Sequence, residues 1–214
     1  KDMIGKTPSS IHVVKPIVNG VITDFNLTEA MLNYFFDKIN PGISLIQPKV
    51  VISIPDGITD IETRAIEDAA LHAGSREIIL VPQTLAQAFG MGLAPDDPRA
   101  ILMVSMGAGT TEVSVLSLNG VVTNSSINKG GDFIDQAIID LFKNKKKLDI
   151  GKNTAEAIKN NILSLRVKDG DLSMNVDGRD IISASPKTVE VKSRELVEAI
   201  IKYADEVMNM VYLS

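Results

Sequence analysis

The first periodic stretch of the chain carries apolar residues at a helical spacing. The apolar positions 31, 32, 35, 36 and 39 share one face, which is the pattern of a half-buried helix. Thr28 stands where an N-terminal cap is expected, since a Thr hydroxyl can accept a hydrogen bond from a first-turn amide. Pro41 and Gly42 follow and predict the end of the helix.

The next elements alternate between strand and helix. The near-continuous apolar run 49–54 predicts a buried strand, and 78–81 predicts another. Between them, Thr59 or Asp60 is expected to cap a helix that Gly74 ends, and a small-residue helix is expected near 83–91. The order strand, helix, strand, helix indicates a parallel α/β layer.

The second half opens with a different pattern. Residues 101–104, 111–118 and 120–127 are expected to form three consecutive strands, with Asn119-Gly120 as a hairpin turn. A helix is expected over 131–146. Together these elements predict a second α/β unit that begins with a β-meander.

The last third predicts a small α+β region and a final helix. Thr154 is expected to cap a helix over 154–165, and a helix is expected after Ser193. Three short strands are predicted between them, at 172–176, 181–184 and 188–191, with Asp177-Gly178 as a turn. The whole pattern therefore predicts an α/β unit, a second α/β unit that opens with a meander, and a small α+β insertion in the second unit.

Composition and charge exclude several function classes. The 214 residues carry 22 Lys and Arg against 27 Asp and Glu, for a net charge of -5, which argues against a nucleic-acid partner because phosphate neutralisation needs basic residues. There is no cysteine, so disulfides and thiolate metal sites are excluded, and two histidines are too few for a His-rich metal cluster. No apolar run reaches the length of a membrane-spanning helix. We expect a soluble, intracellular globular protein.

Two glycine-containing turns flank the predicted meander. The stretch Ser105-Met106-Gly107-Ala108-Gly109-Thr110-Thr111-Glu112 joins two strands, and its small residues and Thr hydroxyls suit the approach of an anion. Gly130-Gly131-Asp132 opens a helix, which is another natural anion site. An ordinary β-turn is the alternative for the first turn taken alone. Two such turns on either side of one meander are harder to explain as ordinary β-turns.

The sequence resembles MreB, the bacterial member of the actin superfamily, over essentially its whole length. The matching pieces are Met3 to Pro8, Pro16 to Asp24, Thr28 to Leu32, Pro48 to Ile52 with Pro55, Gly57 to Asp60, Ala69 to Gly74, Gly107, Gly109 to Val113, Gly130 to Asp132, Thr154 to Glu156, and Ile158-Lys159. The resemblance implies an α/β fold of the actin, large heat-shock chaperone and hexokinase type, with ribonuclease-H-like lobes and a small α+β subdomain. It also implies a nucleotide cleft for ATP and Mg²⁺. The domain organisation that it implies is the rest of a first lobe at 1–98, the large subdomain of a second lobe at 99–148, its small α+β subdomain at 149–192, and a return helix to the large subdomain at 193–214.

The resemblance assigns roles to individual residues. Gly107, Ala108, Gly109 and Thr110 correspond to a phosphate loop, and Thr111 and Gln83 correspond to the residues that position the attacking water. The remaining assignments are Gly130, Gly131 and Asp132 lining the cleft, and Glu156 and Lys159 holding the ribose and base. A surface ion pair is the alternative for Glu156 and Lys159, since they are three residues apart on one helix.

The chain departs from the family pattern at several of these positions. Ser105 stands in place of the Asp that orients magnesium, and Ala108 replaces the middle glycine of the turn. Gln83 replaces a Glu, and Thr84 replaces the Pro after it. We expect ATP binding with at most weak hydrolysis, because magnesium prefers carboxylate to hydroxyl ligands and Gln is a poor base.

A further family feature is an apolar pair that contacts the membrane. Leu45 and Ile46 align with it, although capping the core is the alternative role. The resemblance thus implies a cytoplasmic, filament-forming protein on the inner face of the cell membrane, which controls cell shape by head-to-tail self-assembly. The alternatives are a paralogue that hydrolyses little ATP and co-assembles with active MreB partners, or a chaperone or sugar-kinase ATPase. The family's first phosphate loop and its Gly-rich adenosine segment are absent, so we expect the middle of a longer MreB-like protein.

Overall fold

The computed structural model describes residues 8, 10–39, 47–93, 98–166 and 171–214. Their contacts form two compact units. The first consists of the chain up to Ser105 together with Thr110–Asn128 and Ser214, and the second of Met106–Gly109 with Lys129–Leu213.

The first unit begins with a two-residue hairpin. Strands β1 (Ile17–Val18) and β2 (Val21–Ile22) pair antiparallel. The turn between them needs two residues with positive φ, and Asn19 (φ 53°) and Gly20 (φ 79°) supply them. A Cβ on Gly20 would lie 2.2 Å from Cγ of Pro55, so the close packing of this turn also requires glycine.

Helix α1 (Phe25–Ile39) begins earlier than the sequence predicted. The side chain of Asp24 accepts a hydrogen bond from the amide of Leu27 at 3.0 Å and forms the N-terminal cap. Thr28 is buried inside the helix, where its hydroxyl donates to the carbonyl of Asp24 at 2.8 Å. The prediction of Thr28 as the cap is therefore wrong. The expected stop at Pro41 and Gly42 lies outside the described residues.

A parallel strand pair forms the centre of this region, as predicted. The elements are β3 (Lys49–Ile54), α2 (Asp60–His72), β4 (Glu77–Pro82) and α3 (Gln83–Gly90). Thr59 caps α2 in a capping box with Glu62, and Gly74 follows the helix at φ 94°, so both predicted boundaries are confirmed.

Strand β3 is less buried than its apolar run predicted. Its residues alternate between half-buried and exposed, and Val51 is 67% exposed. Successive side chains of a strand point to opposite faces, so a continuous apolar run fills the core only where both faces are covered.

The predicted meander is confirmed as a three-stranded sheet. Its strands are β5 (Ile101–Met106), β6 (Thr111–Ser117) and β7 (Gly120–Ile127), in the order β5-β6-β7. The hairpin turn lies one residue earlier than predicted. Leu118 (φ 50°) and Asn119 (φ 61°) are its central residues, and Gly120 already pairs with Ser117.

The second unit contains three helices and a small antiparallel sheet. Helix α4 (Gly131–Leu141) continues into a π-helical turn over Phe142–Lys146 that ends at Lys147 (φ 54°). The other elements are β8 (Leu148–Asp149), α5 (Lys152–Ile162), β9 (Ser173–Asp180), β10 (Pro186–Lys192) and α6 (Ser193–Leu213). The sheet order is β10-β9-β8.

The prediction of three short strands in this unit is wrong in its details. Asp177 and Gly178 lie inside β9, where they pair with Thr188 and Lys187. Gly178 lets β8 approach, since a Cβ on it would lie 2.7 Å from the carbonyl oxygen of Asp149. The expected strand 181–184 is the β9–β10 turn, in which Asp180 accepts hydrogen bonds from the amides of Ile182 and Ser183.

Helix α5 also differs from its prediction. It begins at Lys152 after Gly151, so Thr154 lies inside the first turn and is not the cap. It ends at Ile162, because Leu163 already has an extended backbone.

The core of the second unit joins all of its layers. The buried side chains come from α4, the π-helical turn, α5, the sheet and α6: Ile138, Phe142, Leu148, Ile158, Val176, Val191 and Leu196. In the first unit a smaller cluster joins α3 to the meander: Ala88, Met103 and Leu116. Within the described ranges, no helix is both long and apolar enough to cross a membrane.

Candidate functional site

The two glycine-containing turns of the sequence are in direct contact in the second unit. The amide of Gly131 donates to the carbonyl of Gly107 at 2.9 Å, and the amide of Asp132 donates to the carbonyl of Ala108 at 2.8 Å. A Cβ on Gly130 would lie 2.4 Å from the carbonyl oxygen of Gly107. This approach of backbone to backbone is the physical reason for glycine at 130.

These hydrogen bonds orient the turn after β5. In a trans peptide the N–H points opposite to the carbonyl of the same plane. Because the carbonyls of Gly107 and Ala108 point at the N-terminus of α4, the amides of Ala108 and Gly109 point away from it. Two successive amides on one side of a turn form a concave site for an anion. The first amides of α4 bind the turn itself, which differs from the expectation that this helix end binds the anion.

Ala108 fits this turn without backbone strain. It is exposed, and its φ lies outside the left-handed region that favours glycine. The replacement of the family's middle glycine therefore leaves the turn intact.

Lys159 reaches the same place from α5. Its Nζ lies 2.7 Å from Oδ1 of Asp135 and donates to the carbonyl of Gly131 at 3.2 Å. The side chains of Lys159 and Asp135 are 18% and 3% exposed. Lys159 thus forms a buried ion pair with Asp135 that joins α5 to α4. Glu156 lies half-buried on α5.

Asp135 is a residue that the sequence reasoning missed. The sequence contains a signal for the burial of Asp135: it lies three and four residues before Ile138 and Ile139, on the same apolar stripe of α4. A carboxylate at such a position needs a partner. Asp132, one turn earlier, forms a more exposed ion pair with Lys152 at 2.9 Å.

The residues expected to handle water lie in the first unit. Thr111 is fully buried at the start of β6, and Thr110 before it is half-buried. Gln83 is the first residue of α3 and is also half-buried. The roles of these three residues stay predictions.

Ser105 has a partner on α3. Its hydroxyl accepts a hydrogen bond from Nε2 of Gln87 at 2.8 Å. Gln87 is a second residue that the sequence reasoning missed. The bond fixes the end of β5 to α3 and engages the hydroxyl that stands where the family has Asp.

A buried carboxyl lies directly after Thr111. Glu112 is 1% exposed, and among the described residues its Oε2 has no hydrogen-bond partner. Burial and the nearby charge of Asp56 raise the pKa of Glu112, while a hydrogen bond from the backbone amide of Asp56 opposes the rise. The carboxylate of Asp56 accepts a hydrogen bond from the hydroxyl of Thr84.

Two further points concern metal ligands and the proposed membrane contact. The described side chains contain no group of three or more His, Asp or Glu that could hold a metal ion. The apolar pair Leu45 and Ile46 lies outside the described residues.

Comparison with known proteins places this geometry in one family. A sequence model of the MreB/Mbl protein family matches residues 1–213. The cell shape-determining protein MreB of Haemophilus influenzae is 39% identical over 203 residues, which cover 94% of this chain and 58% of that protein. The cell shape-determining protein Mbl of Bacillus subtilis is 36% identical over 92% of this chain and 60% of its own length. The chain thus spans somewhat more than half of these relatives.

Solved structures agree with the fold. The crystal structure of MreB5 of Spiroplasma citri bound to AMPPNP matches the whole chain and 65% of its own, with a TM-score of 0.90 and 29% identity. The MamK double helical filament matches 92% of the chain with a TM-score of 0.74 at 17% identity, which shows the shared actin-like fold. The predicted actin-like α/β fold is confirmed.

Proposed function

Because this chain belongs to the MreB/Mbl family, we propose that the protein binds ATP and assembles head to tail into cytoskeletal filaments that control cell shape. The observation that carries the proposal is the turn 107–109, whose carbonyls bind the N-terminus of α4 and whose amides face the other way. Those amides suit a phosphate group. The relatives named as cell shape-determining proteins support the same function.

Solved structures that resemble this chain also support nucleotide binding. The Spiroplasma citri structures that match it contain AMPPNP in one case and ADP in the other. In our proposal Gly107, Ala108, Gly109 and Thr110 receive the phosphates, and Gly130, Gly131 and Asp132 support them from α4. Glu156 is proposed to hold the ribose and base. Lys159 acts through its bond to Gly131, because its ammonium group is already paired with Asp135.

Phosphate oxygens and water molecules would hold the Mg²⁺ ion of a bound nucleotide. Mg²⁺ keeps several waters and takes few protein ligands in such sites. When bound, the ion neutralises charge on the phosphates. Ser105 can contact its water shell only while sharing its hydroxyl with Gln87.

Hydrolysis is proposed to be slow. Thr111 and Gln83 orient the attacking water, and Gln supplies no carboxylate to receive its proton. Gln at position 83 therefore favours a protein that binds ATP and releases phosphate slowly. A paralogue that co-assembles with more active MreB partners would have this property. Membership in the MreB/Mbl family favours these functions over a chaperone or sugar kinase.

Self-assembly and membrane binding complete the proposal. Actin-like subunits that stack through heterologous contacts form open filaments, because such contacts do not close. Leu45 and Ile46 are proposed to contact lipid on the cytoplasmic face of the membrane, where many weak contacts along a filament add up.

The test uses the purified protein with ATP, ADP and no nucleotide. We expect calorimetry to show ATP binding and electron microscopy to show filaments in the ATP sample. Replacing Leu45 and Ile46 by Ser should abolish co-sedimentation with anionic lipid vesicles and leave assembly intact. Monomers or closed rings over a range of salt concentrations would contradict the filament proposal, and unfolding of the double variant would assign the pair to the core.

A further inference from the structure

We propose that Asp56 is a positioning residue, which joins the two proposed water-orienting residues, Gln83 and Thr111, through their chain neighbours Thr84 and Glu112. The inference rests on the proposed ATPase function and adds a residue to it.

The first link follows from the parallel strand pair. Ile54 at the end of β3 lies opposite Pro82 at the end of β4. Asp56 and Thr84 each come two residues after these strand ends, so they meet at one edge of the sheet. There the Thr84 hydroxyl, which is fully buried, donates to Oδ2 of Asp56. This bond fixes the first turn of α3, where Gln83 lies.

The second link runs to β6. The backbone amide of Asp56 donates to the carboxyl group of Glu112, the residue after Thr111. Both Glu112 and Thr111 are buried, with exposures of 1% and 0%. Asp56 therefore holds the start of β6 with its backbone and the start of α3 with its side chain.

The charge of Asp56 lies close to the buried carboxyl group of Glu112. Of the titratable groups in the described ranges, Asp56 is the one whose charge acts on Glu112. Within those ranges, Oε2 of Glu112 lacks a hydrogen-bond partner. A purely structural site would be more stable with an amide or an apolar side chain here. An acid pair at this position instead resembles the perturbed groups of functional sites, and a small displacement of a water-orienting group costs a large factor in rate.

The experiment compares two substitutions at Asp56 with a matched control. Asp56→Asn keeps an oxygen for the Thr84 hydroxyl and keeps the backbone amide, but removes the charge. Asp56→Ala removes the oxygen as well. Asp60→Asn changes another acid nearby, at the exposed start of α2. Steady-state phosphate release gives kcat and KM, calorimetry gives the Kd for ATP, and urea denaturation checks the fold.

We expect Asp56→Ala to lower kcat at least tenfold while the Kd for ATP stays within twofold of the wild type. Asp56→Asn should restore kcat to within about threefold of the wild type, because it keeps an oxygen for the Thr84 hydroxyl. The acid limb of the pH–rate profile, where it follows the ionisation of Glu112, should shift to lower pH in this variant, since the charge that raises the pKa of Glu112 is gone. Asp60→Asn should match the wild type in every measurement.

The outcomes separate this inference from the proposed function. A wild type that neither binds nor hydrolyses ATP overturns the proposed function and the inference with it. A wild type that hydrolyses ATP with an Asp56→Ala variant of equal kcat overturns the inference alone. If Asp56→Ala does not fold, Asp56→Asn decides, and an unchanged acid limb overturns the inference.

Discussion

Among the residues that the structure describes, each unit buries one acid almost completely, and the two acids differ in their partners. Asp135 in the second unit has the Nζ of Lys159 at 2.7 Å. Glu112 in the first unit has the amide of Asp56 as a hydrogen-bond donor; burial and the like charge of Asp56 raise the pKa of Glu112, and the amide opposes the rise. The paired acid holds two helices together, as buried ion pairs do when both partners are present.

The difference separates a structural acid from a functional candidate. A buried acid with a cation needs no further explanation, because each charge compensates the other. A buried acid without one reduces stability and persists where a site uses it. By this criterion Glu112 and Asp56 are candidates for a functional role in the first unit, whereas Lys159 has a structural role in the second, where it supports Gly131.

The largest expected effect comes from breaking the paired acid. Lys159→Met leaves Asp135 buried without its cation, so we expect the free energy of unfolding to fall by about 3–5 kcal/mol. Urea denaturation measures the change. The matched control is Lys152→Met, whose pair with Asp132 is more than one third exposed and should cost less than about 1 kcal/mol. Equal losses in the two variants would contradict the structural role of Lys159.

The contact between the two turns gives the next effect. Gly130→Ala places a Cβ against the carbonyls of Gly107 and Ala108, so the turn must move. We expect at least tenfold weaker ATP binding by calorimetry, equal to about 1.4 kcal/mol. Gly90→Ala, where a Cβ meets no atom of the described chain within 4 Å, is the control and should bind normally. Unchanged binding in Gly130→Ala would remove the turn from the proposed site.

A local contact in the first unit should have a smaller effect. Thr59→Ala removes the capping box of α2, and the expected loss in the free energy of unfolding is about 1 kcal/mol. Thr59→Ser keeps the hydroxyl and should retain most of the stability in the same urea experiment. A loss as large as that of Lys159→Met would show that α2 carries more of the first unit's stability than its single cap accounts for.

The smallest change is expected from neutralising the unpaired acid. The folded-state pKa of Glu112 is raised, so the group is protonated in both folded and unfolded chains at low pH, where it costs nothing. As the pH rises above the ordinary Glu value of 4.5, the unfolded chain ionises first and wild-type stability falls. Glu112→Gln should therefore gain stability relative to the wild type as the pH rises above 4.5. Urea midpoints that differ by the same amount at every pH would contradict this assignment.

Local patterns were enough to locate most of the elements. The capping box of α2 involves Thr59 and Glu62, three residues apart, so the sequence alone predicted that boundary. The helix and strand periods likewise identified β3, β4, α3 and the meander. Errors occurred where a tertiary contact competes with a local signal. Asp177-Gly178 resembles a turn, but the glycine serves the approach of β8 inside a strand.

The proposed site shows the same division between sequence and structure. The sequence determined the family, the turn proposed to bind an anion, and the departures at Ser105, Ala108 and Gln83, because these features are carried by residue identity in short motifs. Only the tertiary structure decided which buried acid has a cation and which has another acid. The Thr84–Asp56 and Lys159–Gly131 bonds each join residues 28 positions apart. Such contacts depend on how parallel strands and packed helices bring distant residues together, and residue spacing along the chain carries no record of them.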